Sequence, residues 1–309
     1  MGNADRTRDR LPAAHVVADA GHMIEQHTPL ERDQTLAVVV SRLGGVRHSA
    51  RAFAFWLQLR GTASIEASEG RFVLQRGDWM MFDPESQQEV LAMRGGLAVG
   101  LLLPRGFPLP DGALVPGAGR ARGADIRIAL NLWRRCAGNA LADGDGAGAM
   151  QPLLLHLQSL QASLHERADR CPGRTDVRRR QVLARMQRVH MCMQGNTHRS
   201  VRLAELAEMT RFSEWWVSKT YRAIYGETVQ EASLRLRLRR ACALLEHSGL
   251  SISEVGEACG FHDPCSFARL FKRRHGQTAS RWRETGQARR QTGPRQSPDF
   301  PPVVGRMGA

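Results

Sequence analysis

The sequence predicts a two-domain α+β fold, with a strand-rich N-terminal half and an all-helical C-terminal half. Three observations lead to this prediction. Residues of about 36–103 form short runs in which apolar and polar positions alternate. A helical segment of about 25 residues near the C-terminal end occurs twice. Between residues 171 and 290 there are 23 lysines and arginines against 11 acidic residues, whereas the rest of the 309-residue chain has 21 against 19.

The N-terminal half predicts a small antiparallel barrel or sandwich. Its clearest strand is the run at 52–60, where four apolar side chains share one face: Phe53, Phe55, Leu57 and Leu59. Turns at Glu69–Gly70 and Gly77–Asp78 separate the runs that follow, and a spacing of roughly ten residues between strands is typical of such folds. A barrel of this kind can bind a small-molecule effector at its mouth.

The same half lacks the residues of a metal centre. Metal-binding barrels need histidines and a carboxylate that converge, and His48 is the only histidine in the strand region of the sequence. After Pro84, where a further ligand is expected, the sequence has Ser86, Gln87 and Gln88. We therefore expect no metal, no cofactor and no enzyme activity.

Two amphipathic helices are expected after the strands, the first at 125–141 and the second starting near Met150. The second carries four leucines at spacings of 4, 3 and 4, the pattern of a coiled-coil seam: Leu153, Leu157, Leu160 and Leu164. Such a row either packs on its own barrel or joins two copies of the chain. The flanking Leu154 and Leu155 widen the apolar stripe and favour a homodimer.

The repeated segment has the organisation of a helix-turn-helix pair. The copies run from 203 to 226 and from 252 to 276, at an offset of 49 that becomes 50 after one extra residue. In each copy a short helix breaks, a capping residue follows (Ser213 or Asp263), and a second helix begins. This arrangement places its second helix in the major groove of DNA.

One helix, expected at 229–245, joins the two units and fixes their spacing. Two units in one chain can occupy two consecutive major-groove faces about 34 Å apart. The basic surplus of the chain lies on these same residues, as a surface that binds phosphate groups requires.

The outward faces of the two second helices supply the candidate DNA contacts. In the first unit they are Ser213, Glu214, Trp215, Trp216, Lys219 and Arg222. In the second unit they are Asp263, Pro264, Cys265, Ser266, Arg269, Lys272 and Arg273. Lys219 and Arg269 are expected at guanine, whereas Arg222, Lys272 and Arg273 are expected at phosphates. Trp215 is expected either at a thymine methyl group or in packing between domains.

This part of the sequence resembles the DNA-binding domain of the AraC/XylS family of bacterial transcription regulators. The matching positions in the first unit and the joining helix are Leu206, Ala207, Ser213, Lys219, Tyr221, Gly226, Arg237, Ala241, Leu244 and Leu245. Those in the second unit are Ile252, Val255, Gly260, Phe261, Phe267, Arg269, Phe271, Lys272, Gly276, Trp282 and Arg283. Gly256, Ala279 and the bulky pair Trp215–Trp216 depart from the family pattern, which bears on the operator sequence rather than on the fold.

The resemblance implies a sequence-specific transcription regulator, an activator that binds double-stranded DNA and works with RNA polymerase. It also implies a cupin-like N-terminal domain, because the turn at 77–78, followed by an aromatic strand that ends in Asp83–Pro84, is similar to the effector domain of this family. Regulators of this kind usually place two chains on paired sites, in agreement with a homodimer.

The predicted organisation is an N-terminal arm at 1–35, a cupin-like sensor and dimerisation domain at 36–170, a linker with the start of the first helix at 171–184, the DNA-binding domain at 185–284, and a disordered tail at 285–309. No stretch reaches 18 apolar residues and the six cysteines show no pairing or zinc spacing, so we expect no membrane partner and a cytoplasmic location. The alternative is a metal-free cupin-like binding protein whose helical half contacts another protein.

Overall fold

The computed structural model describes residues 14–27, 30, 35–48, 51–107, 114–139 and 146–292. Within these residues the strands come first and the helices follow, as the sequence predicts for an α+β chain. None of the helices in these ranges combines the length and apolar character needed to cross a bilayer.

The strands are short and lie close together in the sequence. They are β1 (Ala14–Ala18), β2 (Met23–Gln26), β3 (Leu36–Ser41), β4 (Gly45–His48), β5 (Ala52–Arg60), β6 (Thr62–Ala67), β7 (Gly70–Gln75), β8 (Asp78–Phe82), β9 (Gln88–Ala92), β10 (Leu97–Pro104) and β11 (Gly117–Arg120).

These strands form two separate sheets, so the N-terminal domain is a sandwich. One sheet has the order β1-β3-β10-β5-β8-β11 and the other has the order β2-β4-β9-β6-β7. Neighbours pair antiparallel, except that β1 runs parallel to β3 and β2 runs parallel to β4. The predicted cupin-like barrel is therefore not confirmed, because the end strands of the two sheets do not pair with one another among the described strands. A sandwich was the other form that the strand spacing allowed.

Both faces of β5 are buried, and they face different partners. Trp56 points into the space between the sheets, where it joins Phe72 and Val90 of the second sheet. Phe55 and Leu57 point to the opposite side, where helices cover the first sheet. The alternation at 52–60 thus marks two buried faces rather than one buried and one exposed face.

Two strands lie within the residues that the sequence analysis assigned to an N-terminal arm. β1 adds to the edge of the first sheet and β2 to the edge of the second. Part of the predicted arm therefore belongs to the sandwich. Its short parallel pairings give no hairpin turn in the sequence by which they might be recognised.

The helices follow from residue 123 onward. They are α1 (Gly123–Asn139), α2 (Gly146–Leu160), α3 (Ala162–His165), α4 (Asp176–Gly195), α5 (Leu203–Thr210), α6 (Glu214–Tyr225), α7 (Val229–His247), α8 (Ile252–Ala258), α9 (Pro264–His275) and α10 (Ala279–Thr292). The predicted tail at 285–309 begins inside α10, which continues to Thr292, and residues 293–309 lie outside the described residues.

Helix α4 belongs to both halves of the molecule. Its side chains Leu183 and Met186 are buried in the cluster that covers the first sheet, and the same cluster contains Tyr221 of α6. Met191, also in α4, is instead buried in the cluster between the two sheets. The predicted linker therefore does not separate two independent domains, because the helix that follows it packs on both.

A buried ion pair attaches α4 to the sandwich. The Arg188 Nε donates to Glu69 Oε1 at 2.8 Å, and the Glu69 side chain is fully buried in the turn between β6 and β7. The same guanidinium reaches Glu85 Oε2 at 3.0 Å. Burial alone would lower the pKa of Arg188, but the facing carboxylates raise it, so the guanidinium stays charged. Ser86 completes the group by donating its hydroxyl to Glu69 at 2.6 Å.

The leucine row of α2, which continues to Leu164 in α3, faces the core of its own chain. Leu153, Leu157 and Leu164 are buried in the cluster over the first sheet, and Leu160 is partly buried against it. Leu155 is half exposed. The four side chains already have intramolecular partners, so the structure gives no support to dimerisation through this row, which stays a prediction. The alternative that the sequence left open, packing on the own strand domain, is the one observed.

We expect Glu69→Gln to destabilise the chain by about 3 kcal/mol, because Arg188 loses its fully buried carboxylate partner and keeps only partners that are more exposed, such as Glu85. Urea unfolding measures the effect. Glu66→Gln on the same hairpin is the matched control: Glu66 pairs with Arg71 at 2.8 Å, but both side chains are more than half exposed, so its loss should cost less than about 1 kcal/mol. Equal costs for the two variants would contradict a structural role for the buried pair.

Two buried histidines should make stability fall in acid. Burial lowers the pKa of His48 to about 4, and burial together with nearby arginines lowers that of His190 to about 3. Unfolded histidine titrates near pH 6.5, so between about pH 6.5 and 4 only the unfolded chain takes up these protons. Asp78 acts in the opposite direction, since burial raises its pKa to about 6.

The histidines and Asp78 therefore contribute with opposite signs to the slope of the unfolding free energy against pH. A comparison of this slope between a variant and the wild-type chain isolates the contribution of one group. His48→Leu should reduce the slope of unfolding free energy against pH by close to one proton, about 1.4 kcal/mol per pH unit near pH 5. Urea unfolding at several pH values gives this slope. An unchanged slope would show that His48 titrates alike in both states.

Candidate nucleic-acid interface

The first helix-turn-helix unit consists of α5 and α6, and its local sequence explains its shape. The α5 helix ends at Arg211, which adopts the left-handed conformation with φ of 57°. Ser213 then caps α6 by accepting a hydrogen bond from the Trp216 N–H at 3.3 Å. The buried side of α6 carries Val217 and Tyr221, which fixes the opposite side outward.

The outward side of α6 presents a tryptophan and two cations. The Trp215 side chain is 67% exposed, and the Lys219 Nζ lies 4.7 Å from the centre of its ring. Arg222 is exposed one turn further on. A shallow groove of about 470 Å³ runs along this side, lined by Trp215, Ser218, Lys219, Arg222, Ala223 and Thr228.

Three predicted contacts of the first unit have different surroundings. Glu214 is exposed beside Trp215. The Ser213 hydroxyl is engaged in the cap described above. Trp216 is half-buried, and its ring lies 3.8 Å from that of Phe212, centre to centre. Trp216, a predicted DNA contact, therefore packs within the unit, whereas Trp215 keeps its ring in solvent.

The second unit consists of α8 and α9 and is capped more strongly. The Asp263 carboxylate accepts hydrogen bonds from the N–H groups of Cys265 and Ser266 at 3.0 and 2.9 Å. It also accepts from the Ser266 hydroxyl at 2.6 Å, and these bonds lower the pKa of Asp263. Pro264 follows at the first helical position, where no N–H is needed. Asp263 is thus occupied as a cap.

The exposed side of α9 is cationic. Arg269, Lys272 and Arg273 are exposed, whereas Phe267 and Phe271 are buried on the opposite side. Pro264 and Cys265 are exposed at the start of the helix. The first unit thus offers an aromatic ring with nearby cations, and the second offers mainly cations and small polar groups.

Helix α7 holds the two units in place, and its arginines act inside the protein. The Arg237 guanidinium donates to the carbonyl oxygens of Cys259 and Gly260 at 2.8 and 2.7 Å and stacks on Phe261 at 4.0 Å. Arg235 forms an ion pair with Glu227 at 2.7 Å. The sequence places arginines on the outward face of this helix, but these two join α7 to the helix-turn-helix units.

Sequence reasoning missed the contacts that orient the first unit from behind. His190 of α4 lies 2.7 Å from the Tyr221 hydroxyl, and its ring stacks on those of Tyr221 and Tyr225. Arg167 covers the other side of Tyr225 at 5.1 Å. His190 lies in α4, the two tyrosines lie in α6 and Arg167 lies in the turn after α3, so no spacing in the sequence indicates that these three segments meet.

Comparison with known proteins agrees with this architecture. A family model described as a helix-turn-helix domain matches residues 206–285. The chain is 33% identical over 96 residues to the MmsAB operon regulatory protein of Pseudomonas aeruginosa, which covers 31% of each chain. It is 36% identical over 89 residues to the transcriptional activator RhaR of an Enterobacter species, covering 29% of this chain and 32% of that one.

Among solved structures, the DNA-binding domain of AdpA, crystallised with a target DNA, aligns with a TM-score of 0.33 and 26% identity. The alignment covers 35% of this chain and 97% of that one. The chain spans about a third of the length of the curated relatives described above. Residues 206–285 thus match a helix-turn-helix domain and are similar to parts of two proteins named as regulators, in agreement with the resemblance predicted from the sequence.

Proposed function

We propose that this chain is a cytoplasmic, sequence-specific transcriptional activator that binds double-stranded DNA. The observation that carries the proposal is the pair of helix-turn-helix units, each of which turns the polar side of its second helix into solvent. Helix α7 joins the units with fixed contacts, which suits recognition of two consecutive major-groove faces. The relatives named as regulators and as an activator support this function, with RNA polymerase as the partner.

The contacts divide into two kinds by their position. Lys219 and Arg269 lie in the first half of their helices, where side chains reach base edges, and arginine can bind guanine through both O6 and N7. Arg222, Lys272 and Arg273 lie in the second halves and suit phosphates, which fix the register without reading sequence. The exposed ring of Trp215 suits the apolar methyl group of thymine.

We infer that the N-terminal sandwich controls DNA binding through a small molecule. Three polar side chains lie side by side across the second sheet, where register pairs Gln26 with His48 and His48 with Gln88. Among the described residues, the two ring nitrogens of His48 have no hydrogen-bond partner. The same is true of Gln88 Nε2. Buried groups of this kind favour a partner that carries hydroxyl or carbonyl groups.

This row lies near the attachment of α4. Gln88 pairs with Ala67 at the end of β6, and Glu69, which binds Arg188, follows in the adjoining turn. A small molecule bound to Gln26, His48 and Gln88 would therefore lie near the attachment of α4, the helix that orients the first unit. A homodimer on paired sites remains part of the proposal, but not through the leucines of α2. The likeness of the sandwich to a cupin effector domain likewise remains a proposal.

The alternative function is a metal-free cupin-like binding protein whose helical half contacts another protein. The side chains on α9 argue against it, because protein interfaces are depleted of charged residues at their centre whereas DNA interfaces are strongly positive. Arg269, Lys272 and Arg273 occupy the middle of that exposed side.

Selection from random duplexes with the full chain tests the proposal. We expect enrichment of one site with two conserved blocks about one helical turn apart, because each unit reads one groove face. Affinity should fall with salt at a log–log slope of about 0.9 per phosphate neutralised. Candidate metabolites added to the same assay test the control by the sandwich. Recovery of no preferred sequence would contradict the proposed function.

Two variants of α9 separate base reading from phosphate binding. Arg269→Ala should cost about 1–3 kcal/mol on the selected site and relax the preference at one or two adjacent base pairs. Arg273→Ala, the matched control on the same helix, should weaken selected and random duplexes about equally. Fluorescence anisotropy titrations measure both. An equal loss on both duplexes for Arg269→Ala would instead place that residue at the DNA backbone.

A further inference from the structure

The turn between α5 and α6 has the same hydrogen bonds as the turn between α8 and α9. In the first turn the N–H groups of Arg211 and Phe212 donate to carbonyl oxygens of α5, both at 3.1 Å. The residues 49 positions later, Gly260 and Phe261, donate to the equivalent carbonyls of α8 at 2.8 and 3.0 Å. At these two positions the turns therefore share their backbone hydrogen bonds and differ in the side chain, although the second turn is one residue longer.

Both turns hold this residue in the left-handed region, with φ of 57° for Arg211 and 73° for Gly260. Glycine adopts this conformation without strain, whereas a residue with a Cβ atom is disfavoured there. Helices of this kind commonly end on glycine for that reason. Arg211 thus occupies a position at which the backbone favours glycine.

The surroundings explain why the second turn needs glycine and the first does not. A Cβ atom on Gly260 would lie 2.7 Å from the Cα of Arg199, so the second turn has no room for a side chain. Arg211 is exposed. The first turn therefore has room for a side chain. Because the Arg211 side chain is exposed, it gains no free energy of burial that would offset the unfavourable backbone conformation.

Internal contacts do not explain the arginine either. Among the described residues, the Arg211 guanidinium forms no ion pair, although Glu208 and Glu214 lie three positions away on either side in the sequence. A second exposed arginine lies at the same turn, since the Arg185 guanidinium of α4 stacks on the ring of Phe212 at 4.8 Å. Phe212 in turn contacts Trp216 of the recognition helix.

We propose that Arg211 and Arg185 bind DNA phosphate groups at the edge of the first helix-turn-helix unit. In such units the second helix enters the groove while the first helix crosses the DNA backbone, which brings the turn close to phosphates. The planar guanidinium suits a phosphate through paired hydrogen bonds. The inference rests on the proposed function, since it assigns further contacts to the same DNA complex.

Arg211→Gly in the full chain gives a test with two opposite expectations. The urea midpoint should rise, because glycine removes the backbone strain. Affinity for the selected duplex and for a random duplex should fall together, by roughly fivefold, and the log–log salt slope should become shallower by about 0.9. Arg185→Ala should lower both affinities in the same way without raising the midpoint.

Arg94→Ala is the matched control, because it removes one exposed positive charge from the turn between β9 and β10. It should leave the salt slope unchanged. An unchanged slope for Arg211→Gly would overturn the inference, as would a fall in both stability and affinity, which would indicate a structural role. If the wild-type chain selects no DNA site, the proposed function fails first. If the wild-type chain does select a site, the proposed function stands, and the results for the Arg211 and Arg185 variants test only the inferred phosphate contacts.

Discussion

The buried contact between Arg188 and Glu69 fixes the position of α4, and the rest of the structure depends on that helix. Burying two charges is costly unless they meet in good geometry with their remaining hydrogen bonds satisfied. Glu85 binds the Arg188 guanidinium and Ser86 donates to Glu69 Oε1, whereas Glu69 Oε2 has no hydrogen-bond partner among the described residues. Close packing adds to these contacts, because a Cβ atom on Gly195 would lie 2.7 Å from the carbonyl oxygen of Glu69. The end of α4 and the hairpin turn thus fit backbone against backbone.

This attachment makes the two helix-turn-helix units unequal. The first shares its core with the sandwich, since Leu206, Val217 and Tyr221 join the cluster that covers the first sheet. The second has a separate core built around Phe267 and Phe271. A change in the sandwich would therefore reach the first unit through this shared core, and the second through α7 and through the close contact between Gly260 and Arg199, which follows α4. The exposed side chains follow the same division, with an aromatic ring on the first unit and a cationic row on the second.

The repeated units were predictable because their signals are local. Ser213 and Asp263 cap the helices that follow them, and the buried positions recur at helical spacing. The leucine row of α2 is ambiguous in the sequence, since a stripe that packs on its own domain has the same spacing as one that packs on a partner. The Arg188–Glu69 pair joins residues 119 positions apart, so no local pattern indicates it.

The central claim is that α4 unfolds with the sandwich and not as a separate part of a DNA-binding domain. Native-state hydrogen exchange, resolved by residue, tests this claim most directly. We expect the amides of α4 and of β7 to open with the same free energy and the same denaturant dependence, and Glu69→Gln to lower both together. Amides of α4 that open with α8 and α9 while β7 stays protected would contradict the account.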